Sequence, residues 1–280
     1  MGWSEWEKVK IEERDLDEVI YEQKYLDNAA GVARVTINRP DKLNAYTSKT
    51  IDELWEAMDD ASMDKRIGVI VLTGAGDRAF CTGGDVEWES SRGSRMQMYT
   101  KIIPNHIVRL SRKPVIAAVR GYAIGGGNHL AYFCDFTIAA DNARFGQTGP
   151  RIGSPADGWP VVYSSKVLGT KKAREMWMLT RQYDAQQALD MGLVNCVVPL
   201  DKLDEEVDKW CEEVLNKAPT CIEILKATFD AADMDDQVGQ FGIYSRRMAP
   251  GIFDSEEVRE AQQAFFEKRK PNFLRFRKPE

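Results

Sequence analysis

Gly121-Tyr122-Ala123-Ile124-Gly125-Gly126-Gly127-Asn128-His129 is the stretch that most narrows what this chain can fold into. An apolar run, Pro114 to Val119, leads into it and reads as a buried strand. A helix-like run, Asn128 to Cys134, leaves it. Glycines at a strand-to-helix junction remove Cβ atoms, so another group can approach the backbone closely. The amides of a helix's first turn lack internal acceptors and carry the positive end of the helix dipole. Such a junction can hold negative charge as it develops on an oxygen. Taken alone, the glycines favour a plainer reading, a tight turn with close helix packing.

The surrounding chain alternates between strand and helix patterns. Val19 to Tyr25 and Gly31 to Asn38 read as strands joined by Asp27-Asn28-Ala29-Ala30. Thr47 or Ser48 can cap a helix running to about Met63, with Ile51, Leu54, Trp55, Met58 and Ala61 on one face. Ile67 to Thr73 reads as a buried strand, and Ala79-Phe80-Cys81-Thr82-Gly83-Gly84-Asp85 is a second glycine-bearing junction. Val86 to about Thr100 has loop composition, and a loop of that size in a compact domain is often functional. A helix carrying His106 follows, and Asp135 to Ala140 is a further strand. Phe145 to Trp159, rich in Gly and Pro, is expected to be irregular.

The remainder is mainly helical. Helices are expected on both sides of Gly169, from Ala185 to Met191, from Leu203 to Asn216, from Cys221 to Ala231 and from Ser255 to Lys268, with a short strand at Leu193 to Val198. Strand–helix alternation followed by helices points to an α/β fold with a helical C-terminal part. Three regions are expected: a charged extension over 1–18, a core over 19–200, and a C-terminal helical region over 201–280.

Composition excludes several function classes. The chain of 280 residues is 43% hydrophobic and 29% charged, ordinary for a soluble globular protein. Its formal net charge of −6 argues against nucleic acid as the main partner. No apolar stretch reaches membrane-spanning length, and Met1 to Glu7 lacks the basic and apolar regions of a signal peptide. Five cysteines, odd in number and without Cys-x-x-Cys spacing, read as buried free thiols in a reducing cytoplasm. Two histidines outside any ligand-like cluster give no basis for a zinc site.

The two glycine junctions lie about 40 residues apart, each after an apolar strand. If those strands are neighbours, the amides of Gly84 and Gly126 can converge on one oxygen, as enolate chemistry requires. Asn38-Arg39-Pro40-Asp41-Lys42-Leu43-Asn44-Ala45, the Ala79–Asp85 junction and Gly121 through Gly127 together resemble the crotonase (enoyl-CoA hydratase/isomerase) superfamily, from about residue 18 to the C-terminus. The resemblance implies a spiral of ββα units and C-terminal helices that support homo-trimer or homo-hexamer assembly. It assigns Gly84 and Gly126 as the oxyanion hole and places coenzyme A, as part of the substrate, near Lys42, Asn44 and Ala45. The acyl part would lie against the Val86–Thr100 loop. No tightly bound cofactor is implied.

Within the superfamily, the chain is most similar to 1,4-dihydroxy-2-naphthoyl-CoA synthases and 2-ketocyclohexanecarboxyl-CoA hydrolases. That likeness rests on Ala140 through Pro150, Lys171-Lys172-Ala173-Arg174-Glu175, Gln182-Tyr183-Asp184-Ala185, Asp190 through Asn195 and Glu267 through Pro271. The departures are as informative as the matches. The family's hydratases carry glutamates where this chain has His129 and Gly149. The synthases carry an aspartate where this chain has Ala156, with Asp157 one residue later, and a C-terminal tyrosine where it has Phe253. Gly149 with Gln147, Thr148 and Trp177 resembles synthases that use bicarbonate as the base, and these residues can equally hold another small anion or a water.

His129 is the sharpest single candidate. A helix start disfavours an imidazolium, and a neutral ring suits general acid–base work; the plainer alternative is a packed or capping histidine. Asp157 is read as orienting His129, holding a water, or capping the helix at Trp159. Asp85 either aims the oxyanion-hole backbone or serves a turn. Ser154 is a candidate substrate contact with loop structure as its default, and His106 is read as structural. Glu87 and Glu89 are read as solvated loop residues, and Lys268-Arg269-Lys270 as a solvated helix end or a contact for coenzyme A phosphates. The leading expectation is an acyl-CoA enzyme that hydrates an alicyclic enoyl-CoA or hydrolytically opens a cyclic β-keto acyl-CoA. Naphthoyl-CoA synthesis and a non-catalytic scaffold are the alternatives.

Overall fold

The apolar runs become two sheets in the computed structural model, which describes residues 2–85, 87–88, 104–152, 159–234 and 255–277. The first elements are β1 (Glu7–Lys8), β2 (Val19–Leu26), β3 (Ala30–Ile37), α1 (Ser48–Met63), β4 (Ile67–Gly74), β5 (Ala79–Cys81) and α2 (Pro104–Leu110). The middle of the chain forms β6 (Val115–Val119), β7 (Tyr122–Ile124), α3 (Gly126–Phe133), β8 (Phe136–Ala140), β9 (Arg144–Gly146) and α4 (Gly149–Ile152). Then come α5 (Trp159–Leu168), α6 (Thr170–Leu179), β10 (Gln182–Asp184), α7 (Ala185–Asp190) and β11 (Cys196–Val198), followed by α8 (Leu203–Leu215), α9 (Pro219–Met234) and α10 (Glu256–Phe266).

The larger sheet has the order β1-β2-β3-β4-β6-β8-β11, and the smaller the order β10-β9-β7-β5. From β3 to β11 the larger sheet is parallel. The chain visits the sheets in turn: β4 then β5, β6 then β7, β8 then β9, the first of each pair in the larger sheet and the second in the smaller. Helices α2 and α3 close the first two units, giving the expected ββα succession.

Strand β4 shows why its sequence is apolar without alternation. Ile70 and Leu72 face the main core with Phe80, Leu130, Phe133 and Phe145, while Val69 and Val71 face a second cluster. A parallel strand covered on both faces carries no period of two. The second cluster is closed by Leu203, Val207, Cys211 and Leu215 of α8. Residues 203–215 therefore complete the core, which corrects the boundary expected at 200. Their apolar spacing is that of a helix lying on a sheet.

The charged N-terminal extension touches the edge of the larger sheet at two places. Strand β1 pairs antiparallel with β2, and Trp3 bridges to Leu26. The Lys24 ammonium holds this segment down: it lies 4.5 Å from the ring centroids of both Trp3 and Trp6 and 2.6 Å from Asp208. Helix α1 starts as expected, with Thr47 and Thr50 forming a reciprocal capping box. Strands β7, β9 and β10 have three residues each, too short to show a period, and two fall where a turn and an irregular segment were expected. Pro219 opens α9, where its missing N–H costs nothing. Among the cysteines, Cys81, Cys134 and Cys211 are buried while Cys196 and Cys221 are half-buried; all are free thiols.

A Cβ added to Gly127 would stand 1.9 Å from the Cys81 carbonyl oxygen, whereas one added to Gly76 would meet nothing within 4 Å. Gly127→Ala is thus expected to cost about 3 kcal/mol of stability through overpacking. Gly76→Ala should cost about 1–2 kcal/mol, from its positive φ alone. Denaturant titration of the two variants checks the contrast, and equal losses would show that α3 does not depend on this contact.

Candidate active site

The glycine junctions meet because β5 and β7 are parallel neighbours, with Ala79 opposite Tyr122 and Cys81 opposite Ala123. Three missing side chains make that closeness possible. Gly121, at φ +62°, would place a Cβ 2.1 Å from the Arg78 carbonyl oxygen, and Gly127 packs on Cys81. A Cβ on Gly83, at φ +92°, would stand 3.0 Å from the Gly126 amide nitrogen. Gly125, at φ +57°, donates its amide to the Gly146 carbonyl at 3.0 Å and turns the chain into α3.

Gly84 is held from the other side by Tyr46. The Tyr46 amide donates to the Gly83 carbonyl, and the Asp85 amide donates to the Tyr46 carbonyl, each at 2.9 Å. In a parallel bridge of this kind the Gly84 amide itself points away from Tyr46. No backbone acceptor among the described residues takes it. The Gly126 amide opens α3 and has no intrahelical acceptor. Both expected oxyanion donors are therefore uncommitted within the backbone, and the segments that carry them touch.

His129 lies one turn into α3, on the face of Gly126. Its ring is packed 5.3 Å from Trp177 and 5.6 Å from Tyr132, centroid to centroid. Burial pushes its pKa down to about 4, against a small opposing effect of the Gln147 side chain. Nε2 lies 3.2 Å from Gln147 Oε1. With the amide oxygen as acceptor, Nε2 carries the proton and Nδ1 the lone pair. The ring is neutral across the physiological range.

Gln147 is 1% exposed, and its Nε2 has no partner among the described residues; the same holds for Oδ1 of the fully buried Asn128. Unsatisfied polar atoms at such depth call for a bound group or water. The Thr148 hydroxyl faces Gly125, 3.7 Å from where a Cβ would be, and Gly149 opens α4. Trp177 is buried, but its indole N–H already donates to Ser164 Oγ at 2.9 Å. It is not spare for an anion, in contrast to the expected bicarbonate-like arrangement.

The Asn38–Ala45 motif resolves into distinct parts. Asn44 is wholly buried: Nδ2 donates to the carbonyls of Ala75 at 3.0 Å and Ala79 at 2.7 Å, and Oδ1 accepts the Arg39 amide at 3.0 Å. This corrects its expected place as a ligand contact, since its polar atoms tie the motif to β5. The Ala45 carbonyl accepts from the Arg39 guanidinium. Lys42 is half exposed and pairs with Glu87 at 3.2 Å, so this charge sits on the rim. Asp85 is buried; its carboxylate meets Arg39 at 3.1 Å and accepts the amides of Glu87 and Trp88. Burial works against its charge, yet the Trp88 amide and Arg39 outweigh it and hold the carboxyl below its usual range. Asp85 thus anchors the Gly83–Gly84 bend.

Asp157, Ser154, Phe253 and Glu89 lie outside the described residues, as does the side chain of His106. Arg269, from the basic C-terminal run, is engaged by Glu260 at 2.6 Å and by Glu267 at 2.5 Å. Tyr46 and Arg39 are the residues that sequence reasoning passed over as individuals. Tyr46 directly follows the Asn44-Ala45 pair, which was the available signal. Among the described residues no group of three or more His, Cys, Asp and Glu is placed to hold a metal ion, and no helix is long and apolar enough to cross a membrane.

Comparison with known proteins agrees with this architecture. Residues 27–275 match the enoyl-CoA hydratase/isomerase family. An enoyl-CoA hydratase/carnithine racemase from Magnetospirillum magneticum is 30% identical, with 92% of this chain and 96% of that one covered and a TM-score of 0.81. An enoyl-CoA hydratase from Bacillus anthracis is 27% identical, with 87% and 95% covered and a TM-score of 0.79. A Pseudomonas aeruginosa structure, DspI, is 24% identical over 93% of this chain and 98% of that one, and it shares the fold at a TM-score of 0.83. With a family match spanning residues 27–275, this chain belongs to the enoyl-CoA hydratase/isomerase family.

Proposed function

We propose that this acyl-CoA enzyme stabilises a thioester enolate and hydrates an alicyclic enoyl-CoA or opens a cyclic β-keto acyl-CoA by hydrolysis. The observation that carries the reading is the junction of two uncommitted glycine amides with a neutral, half-buried histidine one helical turn away. In this scheme the amides of Gly84 and Gly126 donate to the thioester oxygen, where charge accumulates in the transition state. Nδ1 of His129 takes a proton from water as it attacks, and Gln147 holds the ring through Nε2. Coenzyme A enters past Lys42, and Asp85 with Arg39 keeps the Gly84 bend in place. Assembly as a homo-trimer or homo-hexamer belongs to the same proposal.

Ring-closing naphthoyl-CoA synthesis is the second reading. Gln147, Thr148 and Gly149 favour it by position, but the commitment of Trp177 to Ser164 weighs against a bicarbonate base. Cyclic enoyl-CoA and β-keto acyl-CoA substrates are expected to gain one water on incubation, read by mass spectrometry, with NMR separating hydration from ring opening. An unchanged mass across a broad panel would defeat both variants and favour a scaffold role. Product formed from o-succinylbenzoyl-CoA and stimulated by bicarbonate would favour the synthase.

The pH dependence follows from His129. Its folded pKa of about 4 lies below the usual 6.5, so lowering the pH through about 4 protonates the base and removes activity. The acid limb of kcat/KM is expected well below pH 6, and His129→Gln should lower turnover by about 10²–10⁴-fold. Between pH 6.5 and 4 the unfolded chain binds the proton that folded His129 refuses. Stability should therefore fall with pH across that window in wild type, and less in His129→Gln. An acid limb near 6.5, or full activity in the variant, would remove His129 from the proton-transfer role.

A further inference from the structure

Tyr46 contacts both glycine bends by different means. Its backbone bridges Gly84, as described above. Its side chain reaches across to Gly126: a Cβ built there would stand 2.1 Å from the Tyr46 hydroxyl oxygen, 2.9 Å from Cζ and 3.0 Å from Cε1. The end of the phenol thus occupies the place that any other residue's side chain would fill. A helical Cβ tilts toward the helix N-terminus. The hydroxyl therefore sits at the mouth of α3, on the side toward which the first-turn amides point. The Tyr46 ring packs against the main core, so the hydroxyl is delivered there by a half-buried, supported side chain.

The position relative to His129 follows from helix geometry. Residues three apart on a helix are neighbours, with Cβ atoms about 5–6 Å from one another. A hydroxyl standing in for the Cβ of Gly126 consequently lies on the same stripe of α3 as His129. The phenol oxygen thus stands beside Gly126, on the face of α3 that His129 shares.

We infer that Tyr46 is a catalytic residue, its hydroxyl donating a third hydrogen bond to the thioester oxygen held by the amides of Gly84 and Gly126. The inference rests on the acyl-CoA reading above and adds to it a side-chain donor that the two amides alone do not supply. A phenol at a helix N-terminus is a good donor to an oxygen gaining charge, because the helix dipole favours that charge as well. A methyl group at Gly126 would have to displace the phenol.

Tyr46→Phe tests this, since it removes the hydroxyl and keeps the ring that packs. The probes are [1-13C]crotonyl-CoA and [1-13C]cyclohex-1-enecarboxyl-CoA, with the carbonyl stretch of the bound thioester read by isotope-edited infrared spectroscopy. In wild type, bound thioester is expected to show a lowered stretching frequency. In Tyr46→Phe the lowering should be smaller, kcat should fall by about 10²-fold, and the thermal midpoint and the affinity for free coenzyme A should be kept. An equal frequency shift with unchanged kcat in the variant would overturn the role of Tyr46 and leave the acyl-CoA reading standing. A wild-type protein that bound neither thioester would overturn that reading, and this role with it.

Discussion

The parallel pairing of β5 with β7 is the constraint on which the rest of the site depends. It brings a strand end carrying Gly83 and Gly84 beside one carrying Gly125 and Gly126. The pairing is possible at that closeness only because Gly121 and Gly127 present bare Cα atoms to the carbonyls of Arg78 and Cys81. Hydrogen bonds of the small sheet then continue to β9, whose last residue, Gly146, accepts the Gly125 amide and starts the Gln147-Thr148-Gly149 segment. Three adjacent strand ends thus deliver the amides, the helix with His129, and the glutamine that meets His129. Active sites at the carboxyl ends of parallel strands have this logic, since loops leaving those ends converge.

Burial and charge are arranged around that point with a consistent sign. One turn along α3 from the Gly126 amide stands an imidazole whose surroundings favour the neutral form. The nearby carboxylate, Asp85, is turned toward Arg39 and two backbone amides and so is consumed in holding the bend. A second buried charge system lies behind α3. Asp135 accepts the Val115 amide and pairs with Lys226 at 2.8 Å, Lys226 meets Asp230 at 3.3 Å, and Asp230 pairs with Arg109. Removing one member of such a set leaves an uncompensated buried charge, which is costly. It fixes α9 against α2 and the start of β8 and leaves no formal charge spare. The fold is the family's, and what it can do chemically is decided by the side chains at the glycine bends rather than by the scaffold.

Much of this was legible in the residues. Alternation gave β2 and β3, apolar runs gave β4 and β6, and spacing with a capping threonine gave α1. The two glycine bends were visible as sequence, as was the position of His129 after the second of them. Strands β7, β9 and β10 were not, because three residues carry no period and these strands exist through pairing within the smaller sheet. Helix α8 was visible as a helix but not as the cover of the larger sheet, since an amphipathic pattern does not name its partner. Asn44 read as a ligand contact because it stands in a binding motif, while its environment makes it a structural bridge.

By itself, then, the sequence determined that this chain alternates strand and helix, carries two glycine bends of the right kind and places a histidine where a helix begins. Those are local facts, set by backbone sterics and hydrophobic periodicity, and they hold without knowledge of neighbours. Only the tertiary structure decided that the bends touch, that Tyr46 spans them, that Trp177 is already spoken for by Ser164, and that the setting of His129 lowers its pKa. Those are facts about distance and solvent access between residues far apart in the chain. They arise when strand pairing removes water and brings dipoles together, which no local pattern can specify.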